Sequence, residues 1–294
     1  MSPSERTGLW HGFIAYVVWG LFPLYFIAFA RSGALEVVAH RALWSLVFCL
    51  VLLAVTRTFG QVRDVVHDRR LLAGLAVAGF LIAGNWTIYI AGVVSGRTLD
   101  AALGYFINPL VVTGLGVLVL GERLRRGQQI AFGFGALAVV VLWVGYGQVP
   151  WVALGLSATF GTYSLVKKVA GRSVAPVPGL AVETAAISPI ALIYLIVLGV
   201  TGHATASPLS GYGVLLATTG IVTAVPLLLF ASAARRVTLV TIGMLQYLAP
   251  IGQFLIGWLV FGEPMPPARW AGFVLVWIAI SVFAFDAVRA HRKR

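Results

Sequence analysis

The sequence has 294 residues, of which 60% are hydrophobic and only 10% are charged, and its net charge is +12. Soluble domains carry about 25% charged residues, so a water-soluble fold could not bury this much apolar surface, and the composition predicts an all-α integral membrane protein. The single cysteine, Cys49, excludes an intrachain disulfide, and no His or Cys cluster has the spacing of a zinc site. We therefore expect no metal and no cofactor. We also expect no nucleic-acid partner, because the orientation of the chain in the membrane explains the positive charge.

Ten apolar spans follow one another along the chain, each about 20 residues long, which is the length that crosses a bilayer. They lie near residues 9–30, 34–56, 71–93, 98–120, 127–146, 149–168, 177–199, 210–232, 238–261 and 268–288. The runs are too long for membrane strands and do not alternate. We interpret the first span as a retained helix, because it is longer than the usual core of a signal peptide. Cleavage after Ala28-Phe29-Ala30 is the alternative.

The distribution of Lys and Arg orients these spans, since short cytoplasmic loops are enriched in positive charge. With the amino terminus in the cytoplasm, 17 of the 21 Lys and Arg residues lie on the cytoplasmic side. Only Arg31, Arg97 and Arg269 lie outside, and Arg41 lies within a span. Both termini are therefore predicted to be cytoplasmic. Binding of anionic lipid headgroups by the same basic residues is a second interpretation.

A pattern of residues recurs at a spacing of 141 positions. It relates "LGYFINPLVVTGLGVLVLGERLRR" to "MLQYLAPIGQFLIGWLVFGEP" and pairs Pro109 with Pro250, Gly116 with Gly257, Gly121 with Gly262 and Glu122 with Glu263. The chain is thus predicted to consist of a first five-helix repeat, residues 1–146, and a second, residues 147–294, in one membrane unit. An odd number of helices per repeat inverts the second copy, which is the symmetry that many transporters use for alternating access. Duplication for packing alone is the alternative.

The two prolines of this repeat are predicted to weaken two spans near the middle of the membrane. Proline cannot bond to the carbonyl four residues earlier, so Pro109 frees the carbonyl of Tyr105 and Pro250 that of Gln246. At about 1.5 Å per residue, Asn108 and Gln246 lie near the midplane, where irregular backbone is tolerated only inside protein or beside a wet cavity. Kinked helices whose amides bond to neighbouring helices are the alternative. The predicted wall of a substrate cavity consists of Tyr105, Asn108, Gln246 and Tyr247.

Four of the charged or titratable residues within the spans are candidates for a functional role. Glu36 and His40 share a helix face, Arg41 follows them, and Glu183 lies in the seventh span. Intramembrane charges cost at least about 2.5–3.5 kcal/mol and usually face a cavity or a partner. We expect Arg41 and Glu183 either to form a structural ion pair or to bind an anion or proton. Glu36, His40 and Glu183 are candidates for proton coupling, although Glu36 and His40 could equally be a solvated pair at the membrane surface.

An aromatic and amide group is predicted in the third span. Asn85 and Trp86 interrupt this span, and Tyr89 follows one turn later. An aromatic ring beside an amide suits a ligand with a flat or apolar body and a polar group. These three residues, together with Arg41 and Glu183, are therefore added to the predicted substrate site.

Motifs throughout the chain resemble one family of membrane transporters. The segments are "WGLFPLYF", "EVVAHRALWS", "GNWTIYI", "LGYFINPL", "LGERLRR", "GIVTAVPLLLFASAARR" and "LQYLAP". In these segments the chain resembles the RarD branch of the EamA family, within the drug/metabolite transporter superfamily. The resemblance implies a ten-helix permease of the inner membrane, built from two inverted five-helix halves. It does not imply a particular substrate.

Three classes of function follow from these observations. A secondary transporter (permease) of a small metabolite or drug-like solute needs an inverted repeat and polar groups at the midplane, and no GxxxxGK[ST] phosphate loop is present to supply ATP chemistry. A channel or a non-transporting scaffold is the alternative, although a channel favours rings of like charge or filter carbonyls. A membrane-embedded enzyme fits least, because no HExxH motif or comparable constellation is present.

Overall fold

The structure is a computed structural model that describes residues 3–121, 124–147, 149–170, 174–207, 210–234, 236–237, 241 and 245–292. Within these ranges the chain is helical and contains no strand. The helices are α1 Pro3–Gly20, α2 Phe22–Phe26, α3 Ala34–Thr56, α4 Phe59–His67, α5 Arg69–Val94, α6 Thr98–Leu120, α7 Arg126–Tyr146, α8 Trp151–Ala170, α9 Pro176–Val200, α10 Gly211–Ala234, α11 Leu248–Leu255 and α12 Pro267–Arg292. A 3-10 turn, Ile27–Phe29, follows α2, and a π-helical turn, Ile256–Val260, follows α11.

Seven of the described helices are long and apolar enough to cross a membrane, namely α3, α5, α6, α7, α9, α10 and α12. The pair formed by α1 and α2 passes the same test as an eighth, with a bend of 44° between its two parts. The predicted spans at these positions are therefore confirmed as apolar helices. Helix α4 was not predicted, because it has only nine residues and buries only Val65.

The outer surface of the bundle is apolar. Leu118 is 83% exposed, Val200 82%, and Val55 and Val144 75% each. Large aliphatic side chains this exposed on four different helices are typical of a surface that faces lipid tails. The chain is accordingly a multi-pass membrane protein.

Helices from the two halves of the chain interleave. Helix α3 packs against α9 and α10, α5 packs against α8 and α9, and α6 packs against α8 and α11. Helix α7 pairs with α12 at the side of the bundle. This arrangement places the middle of α3, α5 and α6 against helices of the second half, which is where the predicted site residues lie.

One prediction about helix interruptions is wrong: Asn85 and Trp86 do not interrupt their span, because α5 runs without a break through both residues. Pro250 lies in the first turn of α11, directly after a turn at Gln246 and Tyr247, and its missing N–H is one that a helix start leaves unbonded in any case. Pro109 does lie inside α6, as predicted.

Candidate functional site

Arg41 lies in the middle of the bundle and is 4% exposed. Its Nε donates to the Thr223 hydroxyl on α10 at 2.8 Å. Its guanidinium carbon is 4.0 Å from the ring centroid of Trp86 on α5 and 5.3 Å from that of Phe26 on α2. A guanidinium over desolvated aromatic faces gains about 2 kcal/mol. Arg41 is therefore held by three helices through neutral groups.

Asn85 connects α5 to two other helices. Its amide nitrogen donates to the Leu156 carbonyl at 3.1 Å and to the Thr159 hydroxyl at 3.0 Å, both on α8. Its amide oxygen accepts from the Tyr105 hydroxyl on α6 at 3.0 Å. Asn85 is 1% exposed, so it positions Tyr105 and does not itself face a cavity.

Aromatic rings continue from this connection across the bundle. The rings of Tyr89 and Tyr105 are 5.8 Å apart, and Tyr105 and Phe160 are 6.1 Å apart with perpendicular planes. Tyr163 follows at 5.7 Å from Phe160. Tyr105, Phe160 and Tyr163 are only partly buried. The buried Tyr89 hydroxyl has no hydrogen-bond partner.

The predicted amides at the midplane divide into two cases. The Oδ1 atom of Asn108 is buried on α6 without a partner, as expected for an acceptor that hydrogen-bonds to a ligand. Gln246 and Tyr247 lie in the turn that precedes α11 and are partly buried. Gln253, which was not predicted, donates to the Trp19 carbonyl at 3.2 Å and leaves its own amide oxygen buried and unpartnered.

Of the two alternatives for Arg41 and Glu183, the ion pair between them does not form. Glu183 is completely buried on α9, and its partner is Lys167 on α8, whose ammonium nitrogen donates to Oε1. The Tyr163 hydroxyl donates to Oε2 at 3.2 Å. Lys167 was interpreted as a loop charge that marks topology, but its side chain reaches back into the bundle and remains 30% exposed. The sequence could not reveal this partner, because a basic residue near a span end also fits the positive-inside rule.

Glu36 is not a solvated surface residue. It is 3% exposed, and its Oε1 accepts from the backbone N–H of Thr205 at 2.9 Å and from the Thr205 hydroxyl at 3.0 Å. The Thr205 hydroxyl also bonds to Ser32 at 2.6 Å. Glu36 thus holds the loop between α9 and α10, while His40 is partly buried one turn away. Proton coupling through Glu36, His40 or Glu183 stays a prediction.

One end of the bundle carries a group of charges that we call the Glu263 clasp, formed by Arg97, Thr98, Asp100, Glu263 and Arg269. The Glu263 carboxylate accepts from the backbone N–H groups of Thr98 and Leu99 at 2.5 and 3.0 Å, which caps α6. Arg269 bonds to Asp100 at 3.2 Å and lies 3.9 Å from Glu263. Burial raises the pKa of the Glu263 carboxyl, and these hydrogen bonds oppose the rise. The clasp joins the start of α6 to the segment before α12.

Metal chemistry is not supported by the described residues, because no group of three or more His, Cys, Asp or Glu side chains in them is placed to hold an ion. The groups that converge are instead a guanidinium, ring faces, hydroxyls and amides. Such groups bind and orient a small molecule.

Membrane-crossing helices around a buried, charged and aromatic site have the architecture of a membrane transporter. Residues 149–285 match the EamA-like transporter family. Protein RarD of Streptomyces exfoliatus is 47% identical over 291 residues, which is 99% of this chain and 92% of that protein. An uncharacterized transporter of Pseudomonas aeruginosa is 42% identical over 294 residues, which is 99% of this chain and 98% of that one.

A solved crystal structure has the same fold, with a TM-score of 0.61 at 18% identity over 97% of this chain and 99% of that chain. The chain belongs to the EamA-like transporter family, and within it to the RarD branch. The family resemblance inferred from the sequence motifs is therefore confirmed.

Proposed function

We propose that the chain is a secondary transporter that carries a small metabolite or drug-like solute across the bacterial cytoplasmic membrane by alternating access. The observation that carries this proposal is the cluster around Arg41, where a buried charge, aromatic faces and hydroxyls meet at membrane depth. The solute binds beside the rings of Trp86 and Tyr105, and Asn108 faces the same cavity from α6. Asn85 acts through Tyr105 as a positioning residue.

The proposed topology has ten spans. The eight apolar segments of the described chain are joined by α8 and by the short apolar segment Leu248–Val260. With both termini cytoplasmic, as the distribution of Lys and Arg predicts, the Glu263 clasp lies on the outside. The clasp then closes the outer end of the site, and its ion pairs separate when the site opens outward.

Helix contacts support the proposal that residues 1–146 and 147–294 are inverted repeats. A Cβ added at Gly20 would lie 3.4 Å from the Cα of Gly252, and one added at Gly161 would lie 2.8 Å from a methyl of Val111. Gly161 follows Gly20 by 141 positions, and Gly252 follows Val111 by the same number. The contact between α1 and α11 therefore has a counterpart between α8 and α6, as two related halves require.

Transport is tested in two steps. Metabolites in the medium of a deletion strain and an overexpressing strain are compared, and a solute whose level changes in opposite directions is then assayed in proteoliposomes. A carrier shows saturable flux and counterflow, in which an internal pool of unlabelled solute drives uptake of labelled solute. Flux that does not saturate and shows no counterflow would instead indicate a channel, and absence of flux would indicate a scaffold.

A further inference from the structure

Arg41 has no counter-charge among the described residues. No carboxylate in this part of the chain forms an ion pair with it, and only its Nε donates to a protein atom, the Thr223 hydroxyl. Its two terminal nitrogens make no hydrogen bond within the described chain. These two nitrogens can donate together to the two oxygens of a carboxylate. Leaving a buried charge uncompensated costs several kcal/mol, and the ring faces of Trp86 and Phe26 offset only part of this cost.

The groups around Arg41 indicate which class of ligand could balance its positive charge. Arg41 lies over the rings of Phe26 and Trp86. The ring of Tyr89 is 6.0 Å from that of Phe26, and the Tyr89 hydroxyl is buried without a partner. A cation would be repelled here. A small inorganic anion would lose its hydration shell to aromatic faces that cannot replace it. An organic anion can instead place its charged group on the guanidinium and its apolar body on the rings.

We propose that the solute is an organic carboxylate with a flat, apolar body, and that Arg41 holds its carboxylate while the rings of Trp86, Tyr89 and Tyr105 hold its body. A planar guanidinium matches a carboxylate with two parallel hydrogen bonds. The proposal rests on the transport function proposed above, since it names the class of solute for the same site.

The test uses purified full-length protein in nanodiscs of neutral lipid and three pairs of probes: benzoate and benzamide, phenylacetate and phenylacetamide, and indole-3-acetate and indole-3-acetamide. Each pair differs in charge while the ring is kept. Binding is measured by quenching of tryptophan fluorescence and by thermal stabilisation. We expect at least one acid to bind the unmodified protein ten times or more as tightly as its amide. If no acid exceeds its amide, the proposal is wrong.

Three variants locate the effect. R41M keeps the length of the side chain and removes its charge, so the affinities of acid and amide should come within about twofold of each other. R41K keeps the charge and loses the fork, so a reduced preference for the acid should remain. R31M is the matched control, because Arg31 also stacks on an aromatic ring, that of Tyr212 at 3.3 Å, but is exposed on a loop. R31M should behave as the unmodified protein.

Each result bears on the proposal. A preference for the acid that survives in R41M would overturn it, as would failure to recover both R41M and R41K from the membrane, since Arg41 would then be structural. Counterflow is measured separately. If an acid binds at Arg41 but no counterflow occurs, the transport function is wrong and the anion site remains. If a neutral solute shows counterflow and R41M does not change it, the transport function remains and the anion site is wrong.

Discussion

Alanine at Gly79 should separate two helices of the bundle. A Cβ added at Gly79 of α5 would lie 2.4 Å from the carbonyl oxygen of Glu183 on α9, whereas ordinary contacts begin at 3.4 Å. The helices must therefore move apart by about 1 Å, a gap that forfeits roughly a quarter to a half of each dispersion contact beside it. Gly220 of α10 has the equivalent position 141 residues later, and its Cβ would lie 2.4 Å from the backbone of Trp44 on α3.

The matched control for this experiment is Gly84, which lies in the same helix as Gly79 and has no atom within 4 Å of an added Cβ. Overpacking costs about 1–3 kcal/mol, while alanine in an open helical position gains up to about 1 kcal/mol. The gain from alanine is common to all three variants, so G79A and G220A should each be about 1–3 kcal/mol less stable than G84A, as measured by unfolding in mixed micelles of dodecyl sulfate and neutral detergent. Equal stability of G79A and G84A would refute the close packing of α5 on α9.

Three further predictions concern buried polar groups and topology. K167M should cost about 3–5 kcal/mol of unfolding free energy, because it leaves Glu183 buried without its partner. E183Q should cost only about 1 kcal/mol and should restore the stability of K167M in the double variant. Equal stability of K167M and E183Q would contradict this. N108L should leave stability unchanged or raise it, since it removes an unpartnered acceptor, yet should lower transport at least tenfold; normal transport would exclude Asn108 from the cavity. In a C49A background, cysteines at Arg125 of the first repeat and at Arg269, near the equivalent position of the second repeat, should react with a membrane-impermeant maleimide from opposite sides. Labelling of both from one side would exclude the inverted repeat.

Hydropathy predicted most of the helices because a membrane span has a fixed length and composition. It missed α4, whose nine residues lie between two spans, and it misread Asn85 as a break. A buried amide in a continuous helix is tolerated when other helices satisfy it, and the groups that satisfy Asn85, on α6 and α8, lie 20 and about 70 positions away. The sequence gives no information about which helix faces meet.

The sequence also left open whether Arg41 and Glu183 pair with each other. In the structure α8 supplies the cation for Glu183, and α10 supplies only a hydroxyl for Arg41. Depth in the membrane could be predicted from the rise per residue. The rotation of each helix about its axis, which decides the partner, depends on contacts such as those of Gly79 and Gly220.

Two of the buried charged residues, Arg41 and Glu183, differ in whether the protein supplies a counter-charge. Glu183 is compensated by an ammonium group and a tyrosine hydroxyl, so the chain satisfies it in the absence of any ligand. Arg41 is also buried, with 4% exposure, yet its neighbours are rings and one hydroxyl. A charge needed only to hold helices together would gain most from a carboxylate of the protein, because that removes the cost of burial permanently. A charge that must release its partner in each transport cycle cannot have such a carboxylate, since the solute would have to displace it. In the proposed transport cycle, Arg41 has no carboxylate of the protein as partner, so that the solute can bind and leave, whereas Glu183 stays paired with Lys167.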